Sequence, residues 1–264
     1  MSDILQLETH GRVLRLAMNR PEKRNALNAD LCRELVDAVN RANKDPQIGA
    51  ILVTGNGKAF SAGMDLQEVG ELRPESLSNV HEQLFTMIAR ITKPIIAAVD
   101  GGAYGGGLGL VANCHVVVAS PRAEFGLTEM RLGLWPFLVY RAVEYAVGER
   151  RAVWLALTAR IFNAQEAQAL SLVHEVHEDA HAKAMEIADQ LSNVSPSAVR
   201  SGLGFVQEAR GKDWDIGGLI ARRVREELFA GPDFQEGIRA FREKRKPVWP
   251  SLGETNKYPG ERTL

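Results

Sequence analysis

Residues 93–109 have the sequence KPIIAAVDGGAYGGGLG, in which a short apolar run passes directly into a cluster of glycines. The apolar run, residues 94–99, is typical of a strand buried on both faces. Six glycines follow within residues 101–109, and glycine lets a backbone adopt positive φ and approach a ligand closely. A strand, a glycine turn and a helix start bring free N–H groups to one point. The segment therefore predicts a β–turn–α unit that either binds an anion or oxyanion or forms a tight packing turn.

The sequence on either side of this segment predicts further strands that alternate with helices. Residues 4–7 and 13–16 partly alternate in polarity and predict a hairpin. Asn28 is a suitable N-cap for a helix with an apolar face, and the apolar runs at 48–54 and 115–120 predict two more buried strands. Strands separated by helices favour an α/β fold with parallel strand pairing.

From about residue 137 onward, helical patterns dominate and no Pro/Ser-rich linker interrupts them. The predicted helices cover residues 141–147, 150–157, 164–169, 180–191, 197–209, 214–229 and 234–244. Without a linker, these helices are expected to attach to the first domain and not to form an independent one.

Composition excludes several classes of protein. The chain has 264 residues and a net charge of -1, which argues against a nucleic-acid-binding platform. Its two cysteines, Cys32 and Cys114, are too few for a disulfide framework and lack metal-ligand spacing. The most apolar region, residues 94–120, contains charged and polar residues and many glycines, so no membrane helix is expected. The first eight residues show no signal-peptide pattern. These observations favour a cytoplasmic protein.

Residues 177–181 have the sequence HEDAH, which matches the zinc motif H-E-x-x-H. That motif needs both histidines on one face of a formed helix, whereas the helix here is predicted to begin near Asp179. A surface turn is therefore favoured over a zinc site. The isolated histidines, His10, His81 and His115, are expected to be packing or surface residues.

Glu129 lies among apolar residues within the segment FGLTEMRLG, residues 125–133. Burial of a carboxyl group raises its pKa because desolvation disfavours the charged form. Glu129 is therefore a candidate general acid or base. A structural glutamate held in an ion pair remains the alternative.

Seven segments together resemble one known family. They are NRP at 19–21, NALN at 25–28, AFSAGMDL at 59–66, KPIIAAV at 93–99, GGG at 105–107, FGLTEMRLG at 125–133 and FREKRK at 241–246. In order and spacing they resemble the crotonase superfamily, the enoyl-CoA hydratase/isomerase family. The resemblance implies a spiral of ββα units over residues 1–195, with the active site. It also implies a C-terminal helical region, residues 196–264, that assembles a homotrimer or a dimer of trimers.

The resemblance also assigns chemical roles. The backbone N–H groups of Met64 and Gly106 would form an oxyanion hole for a thioester carbonyl, and Glu129 would be the catalytic acid/base. Two-carboxylate hydratases of the family carry a second glutamate where this chain has Gly109. A single carboxylate suits an allylic proton shift better than hydration, so the resemblance favours enoyl-CoA isomerisation. Two alternatives remain. One is hydration by Glu129 together with a second, unidentified catalytic group, and the other is a different reaction of the family, such as thioester hydrolysis.

Two expectations concern that missing second group. A glutamate introduced at Gly109 is expected to face Glu129 and to raise hydration relative to isomerisation. If the chain itself hydrates efficiently, Tyr140 and Glu144 are the next candidates for activating the water.

Coenzyme A is expected as part of the substrate, an acyl-CoA thioester, with no separate cofactor and no metal. The residues that the resemblance assigns to the substrate and CoA are Lys23, Arg24, Ala26, Ala62, Phe241 and Lys244. A solvated helix end is the alternative for the basic run at 242–246.

A non-catalytic CoA-binding or RNA-binding member of the family is the competing class of function. The near-zero net charge opposes RNA binding, and the presence of Glu129 opposes a dead enzyme.

Overall fold

The computed structural model describes residues 3–70 and 74–252, and the strands of this part form two sheets. The six-stranded sheet contains, in spatial order, β1 (Leu5–His10), β2 (Val13–Met18), β3 (Ala50–Gly55), β5 (Ile95–Val99), β7 (Val116–Ala119) and β10 (Glu175–Val176). The four-stranded sheet contains β4 (Ala59–Ser61), β6 (Gly102–Tyr104), β8 (Glu124–Gly126) and β9 (Phe162–Asn163). The β1–β2 and β8–β9 pairs are antiparallel, and the other pairs are parallel.

Helices connect the strands and fill the second half of the chain. They are α1 (Ala29–Lys44), α2 (Pro74–Thr86), α3 (Gly106–Ala112), α4 (Phe137–Val147), α5 (Glu149–Thr158), α6 (Ala164–Ala169), α7 (Ala180–Ser192), α8 (Pro196–Ala209), α9 (Trp214–Phe229) and α10 (Pro232–Arg242). Each helix predicted after residue 137 is present, with ends that differ by a few residues. None of the helices in the described part is long and apolar enough to cross a membrane.

The chain advances through both sheets together. The pairs β3–β4, β5–β6 and β7–β8 each contribute one strand to the six-stranded sheet and one to the four-stranded sheet. A helix follows each pair, namely α2, α3 and α4. This arrangement confirms the expected α/β class and the repeating ββα units.

The N-terminal part forms as its local sequence predicts. Gly11 takes φ +57° in the turn of the β1–β2 hairpin. The Asn28 side chain accepts a hydrogen bond from the Leu31 N–H at 3.1 Å and so caps α1. Leu31, Leu35 and Val39 are buried on one face of that helix.

The central strands are covered on both faces. In β3, Ile51 and Val53 belong to the main core cluster, whereas Ala50 and Leu52 face a second cluster formed with α7. The alternation follows from the two-residue period of a strand. Helix α7 presents alanines at every fourth position from Ala180 to Ala188, and these small side chains let it lie close to the sheet.

Helices α8 and α9 contain no buried residue within the single chain. Apolar side chains are exposed on both, such as Val206 on α8 and Trp214 and Leu219 on α9. By contrast, α10 is tied back to the start of α8, because the buried Asp233 carboxylate accepts hydrogen bonds from the Ser195 and Ser251 hydroxyls, each at 2.6 Å. The division at residue 195 stays a prediction, and residues 253–264 of the second region lie outside the described residues.

Candidate active site

A cavity of about 310 Å³ lies between α2, the start of α3, the turn at Glu129 and the start of α4. Three of its lining residues, Met64, Gly106 and Glu129, are those to which the family resemblance assigns the chemistry. The other lining residues are Leu27, Leu77, Ser78, His81, Phe85, Leu134, Trp135, Pro136, Phe137, Leu138 and Val139. The structure therefore brings the three predicted residues to one largely apolar cavity.

The loop that leads to the cavity is anchored by Asn25, which is fully buried. Its amide donates hydrogen bonds to the carbonyls of Asn56 (2.9 Å) and Ala59 (2.8 Å), and its side-chain oxygen accepts one from the Arg20 N–H (2.9 Å). The Ser61 hydroxyl donates to the Asn25 carbonyl at 2.8 Å. These bonds fix the loop against β4 and explain the Asn-Ala-Leu motif in physical terms.

The same loop places Leu27 beside Met64. The Leu27 N–H donates to the Gly63 carbonyl at 2.7 Å, and the Leu27 carbonyl accepts from the Asp65 N–H at 3.1 Å. An ion pair between Arg20 and Asp65, at 3.0 Å and mostly buried, closes the turn. Met64 is thereby held in a fixed backbone position at the cavity wall.

The backbone N–H groups of Met64 and Gly106, both in this wall, have no hydrogen-bond acceptor within the described residues. Gly106 begins α3, so its N–H is one of the orphan donors of a helix N-terminus. Gly63 has φ +87°, and a Cβ there would stand 3.1 Å from the Gly106 nitrogen and 2.6 Å from the Tyr104 oxygen. Only glycine at position 63 lets the two loops approach this closely.

The Glu129 carboxyl group lies in the same cavity wall, beside Gly105. Its Oε1 would lie 3.3 Å from a Cβ on Gly105, and its buried Oε2 has no hydrogen-bond partner in the described part of the chain. Burial raises the pKa of Glu129, opposed by a hydrogen bond with its own backbone. Glu129 takes part in none of the ion pairs of residues 3–70 and 74–252, so the alternative of a structural ion pair is wrong.

Gly109 lies on the inner face of α3, where it contacts α4. A Cβ at this position would stand 2.3 Å from Val139 Cγ1 and 3.1 Å from Phe85 Cε1. In this structure a glutamate at 109 has no room to face Glu129, because Val139 of the neighbouring helix occupies the space. The expected effect on hydration stays a prediction. The branched Val139, and neither Trp135 nor Phe137, is the obstacle.

Comparison with known proteins identifies the family. A family model described as enoyl-CoA hydratase/isomerase matches residues 8–252. The chain belongs to this family. It is 35% identical over 249 residues to the probable enoyl-CoA hydratase echA8 of Mycobacterium tuberculosis, covering 93% of this chain and 97% of the relative. It is 37% identical to the mevalonyl-coenzyme A hydratase sidH of Aspergillus fumigatus, covering 90% and 91%.

The solved structures agree with this family. The crystal structure of an enoyl-CoA hydratase from Bacillus anthracis superposes with a TM-score of 0.89 at 29% identity, covering 94% of this chain and 99% of that one. The protein is thus an enoyl-CoA hydratase/isomerase family enzyme that acts on CoA thioesters.

Four of the residues assigned to substrate and CoA lie on the loops around the cavity of this family member. The Lys23 ammonium donates to the Gln67 side chain at 2.6 Å, and the Arg24 carbonyl accepts from the Ala62 N–H at 2.9 Å. Ala26 is buried, and its carbonyl accepts from the Arg20 guanidinium at 2.5 Å. These residues adjoin the Met64 turn, although none lines the cavity itself.

Phe241 and Lys244 lie elsewhere in the single chain. Phe241, at the end of α10, is 85% exposed and borders a second cavity with Trp249. Lys244 follows α10 with φ +54°. Within one copy of this family enzyme, neither residue reaches the cavity that holds Glu129.

The two residues considered for activating water, Tyr140 and Glu144, are not part of the cavity lining. Tyr140 packs its ring against Trp135 at 5.9 Å, and Glu144 pairs with Arg141 at 2.8 Å. Neither Tyr140 nor Glu144 lines the cavity wall in the single chain, and a role for either in activating water stays a prediction.

The H-E-x-x-H segment is a surface turn, as the sequence indicated. His177 and Glu178 are exposed and precede α7, which is capped by the Asp179 side chain through the Ala182 N–H at 2.9 Å. No group of residues suited to a metal ion occurs in the part of the chain that the structure describes.

His81 is the residue that sequence reasoning missed. His115 packs as expected, with its Nδ1 accepting from the Ile95 N–H at 3.0 Å, but His81 lies in the cavity wall. A usable signal existed, because His81 stands four residues from both Leu77 and Phe85 and shares their helix face.

Replacing Glu129 with glutamine should stabilise the protein at neutral pH. The raised pKa means that the folded state binds this proton more tightly than the unfolded state, so stability falls as pH rises through the folded pKa. Glutamine does not titrate, so the variant should melt at a higher temperature than the parent at pH 7.5, and the difference should vanish near pH 4. Thermal unfolding of both proteins across this range checks the prediction, and equal melting temperatures at pH 7.5 would contradict it.

Replacing Gly109 with alanine should destabilise the protein by about 1–3 kcal/mol, because it overpacks the α3–α4 contact at Val139. The matched control is Gly237→Ala in α10, where a Cβ would stand at an ordinary contact distance of 3.6 Å from Trp249 and helix propensity favours alanine. Chemical denaturation measures both free energies of unfolding. If Gly109→Ala is as stable as the control, α4 can shift at Val139 without a measurable loss of stability. Position 109 could then accommodate a side chain.

Proposed function

We propose that the enzyme catalyses the shift of a double bond in enoyl-CoA thioesters from Δ3 to Δ2, with Glu129 as the single carboxylate. The supporting observation is an unpaired, buried carboxyl group beside two free backbone donors at one cavity. The space at Gly109 is filled by Val139, which removes the place for a second glutamate. One base is sufficient for an allylic proton shift.

The reaction uses these groups in two steps. The Glu129 carboxylate takes a proton from C2 of the 3-enoyl thioester, and the resulting dienolate carries its charge on the thioester oxygen. The N–H groups of Met64 and Gly106 donate to that oxygen, and such preorganised donors stabilise the developing charge. Glu129 then returns the proton to C4, which leaves the double bond between C2 and C3.

The walls of the cavity support this chemistry. Leucine and aromatic side chains from α2 and the start of α4 line it, and they suit an acyl chain. The same burial that raises the pKa of Glu129 makes its carboxylate a stronger base once it is ionised. Coenzyme A enters as part of the substrate, with Lys23 and Arg24 near its phosphates.

The enzyme is proposed to assemble as a homotrimer or a dimer of trimers. Helices α8 and α9 bury no residue within one chain, and Phe241 is almost fully exposed. In such an assembly Phe241 and Lys244 would reach the cavity of a neighbouring copy, which accounts for their distance from Glu129 in the single chain.

Replacing Lys244 with alanine should raise KM for CoA esters several-fold and leave kcat almost unchanged. A contact with a remote phosphate is about equally strong in the ground and transition states. The effect should shrink at high salt, because exposed charges are screened. Steady-state kinetics at two ionic strengths test this, with Lys246→Ala as the control of equal charge. An unchanged KM at low ionic strength would assign the basic run to a solvated helix end.

The test of the proposed function uses 3-enoyl-CoA and 2-enoyl-CoA in heavy water, with products identified by mass spectrometry and NMR. Conversion of the 3-enoyl ester to the 2-enoyl ester supports the proposal, and no conversion would overturn it.

Hydration of the 2-enoyl ester is the second candidate function. It is favoured by the hydratase names of the relatives and by the presence of His81 in the same cavity.

A further inference from the structure

We propose that His81 is a second proton-transferring group of this site and that it activates the water molecule for hydration of 2-enoyl-CoA. The inference rests on the proposed function, because it takes the position of the thioester from the Met64 and Gly106 donors. It adds a catalytic group of a different chemical type in place of the glutamate that the chain lacks at Gly109.

The ring of His81 is oriented by the backbone. Its Nε2 lies 3.4 Å from the Leu27 carbonyl oxygen, and since a carbonyl only accepts, Nε2 carries the hydrogen. Nδ1 then carries the lone pair. Within the described residues Nδ1 has no hydrogen-bond partner, and it is not completely buried. His81 is 6% exposed and lines the cavity, so its remaining accessible surface opens there.

Glu129 and His81 adjoin different neighbours of the glycine turn. A Cβ on Gly105 would point at the Glu129 carboxyl group, 3.3 Å from Oε1. A Cβ on Gly106 would instead point at Leu27 Cδ1 (3.1 Å) and Phe85 Cζ (3.2 Å).

His81 belongs to this second side. It contacts the Leu27 carbonyl, and its ring centroid lies 6.3 Å from that of Phe85. We therefore place a thioester held at the Gly106 N–H between Glu129, beside Gly105, and the Leu27–Phe85 neighbourhood to which His81 belongs.

This arrangement supplies the two proton transfers of hydration. The water oxygen bonds to C3 while Nδ1 of His81 takes a proton from the water. The π-electron pair of C2=C3 moves onto C2 and the thioester oxygen, where the two N–H groups hold the charge. The Glu129 carboxylic acid then delivers its proton to C2, which gives the 3-hydroxyacyl thioester. The imidazolium returns its proton to the Glu129 carboxylate through solvent, so the enzyme is restored.

The electrostatic surroundings keep the ring in the required form. Burial lowers the pKa of His81, against the raising effects of the Leu27 carbonyl and the nearby Glu68. The imidazole is therefore neutral at neutral pH and able to accept a proton. Burial likewise raises the pKa of Glu129 and favours the acid form that the second transfer needs.

The test compares two activities of the same variant. Asparagine at position 81 keeps an oxygen acceptor near the place of Nδ1 but cannot take a proton. His81→Asn should lower hydration of 2-enoyl-CoA by about 10²-fold or more, the usual contribution of a general base. Isomerisation of 3-enoyl-CoA by the same preparation should fall far less than hydration does, because its two proton transfers use Glu129 alone. His10→Asn, at an exposed histidine paired with Glu8, is the matched control.

The outcomes of this comparison distinguish the role of His81 from the proposed function. Unchanged hydration in His81→Asn overturns the proposal, as does an equal loss of both activities, which would assign His81 to packing. His81→Gln, whose amide can still reach the Leu27 carbonyl, replaces the asparagine variant if that one unfolds. A parent enzyme that isomerises but does not hydrate overturns the role of His81 and leaves the proposed function intact. Isomerisation that persists in Glu129→Gln would overturn the proposed function instead.

Discussion

Replacing Glu129 with glutamine should lower turnover of enoyl-CoA esters by about 10²–10⁴-fold, the usual contribution of a general acid or base. The amide has nearly the same shape but neither takes nor returns a proton. The buried Oε2 has no partner in the described residues, so the substitution breaks no hydrogen bond there. Affinity for a CoA ester should stay close to that of the parent. Single-turnover kinetics and calorimetric titration with a non-reactive acyl-CoA separate the two quantities.

The control for this variant is Glu178→Gln. Glu178 is the exposed glutamate of the H-E-x-x-H segment, and its change should leave turnover unaffected. If Glu129→Gln keeps most of its activity, the assignment of Glu129 as the acid/base is wrong. If Glu178→Gln loses activity, the surface interpretation of that segment is wrong.

Replacing Gly106 with proline should lower kcat by about 10²–10³-fold, the usual cost of losing one oxyanion donor. Proline has no N–H, and the first position of a helix tolerates its ring. Gly106 is that first position of α3, and its N–H has no acceptor within the described chain. The loss should appear in kcat because the donor acts on charge that develops during the reaction.

Gly106→Ala is the matched variant for this experiment. It introduces the same Cβ, which would stand 3.1 Å from Leu27 Cδ1 and 3.2 Å from Phe85 Cζ, but it keeps the N–H. The ratio of kcat between the alanine and proline variants therefore isolates the donor. Melting temperatures of both establish that they are folded. Equal kcat values in the two folded variants would remove Gly106 from the oxyanion hole.

Much of the fold follows from local signals in the sequence. Continuous apolar runs such as residues 94–99 become strands buried on both faces, because covering helices exclude water from each side. The Asn28 cap and the glycine turn mark helix starts that do not depend on distant residues. These elements were predictable because the chemistry that forms them lies within a few positions of the chain.

The parts of the site that could not be predicted depend on contacts between distant segments. Gly109 meets Val139 only because α3 packs on α4, and no local pattern shows that this contact closes the position to a side chain. His81 becomes a wall residue through its contact with the Leu27 carbonyl. A single histidine in a helical segment can be a packing residue, a surface residue or part of a site. The tertiary contacts of the folded chain are needed to distinguish these cases.

The parallel order of the six-stranded sheet governs how the chain must fold. Val13 pairs with Ala50 and Ile51 pairs with Ile95, so each pairing closes a loop of about 40 residues before any contact compensates the lost entropy. High contact order of this kind slows folding. We expect the β1–β2 hairpin to form early on the ribosome, while the sheet stays open at one edge until β10 emerges. During that interval the growing chain exposes a strand edge, which makes it a substrate for chaperones and prone to aggregation.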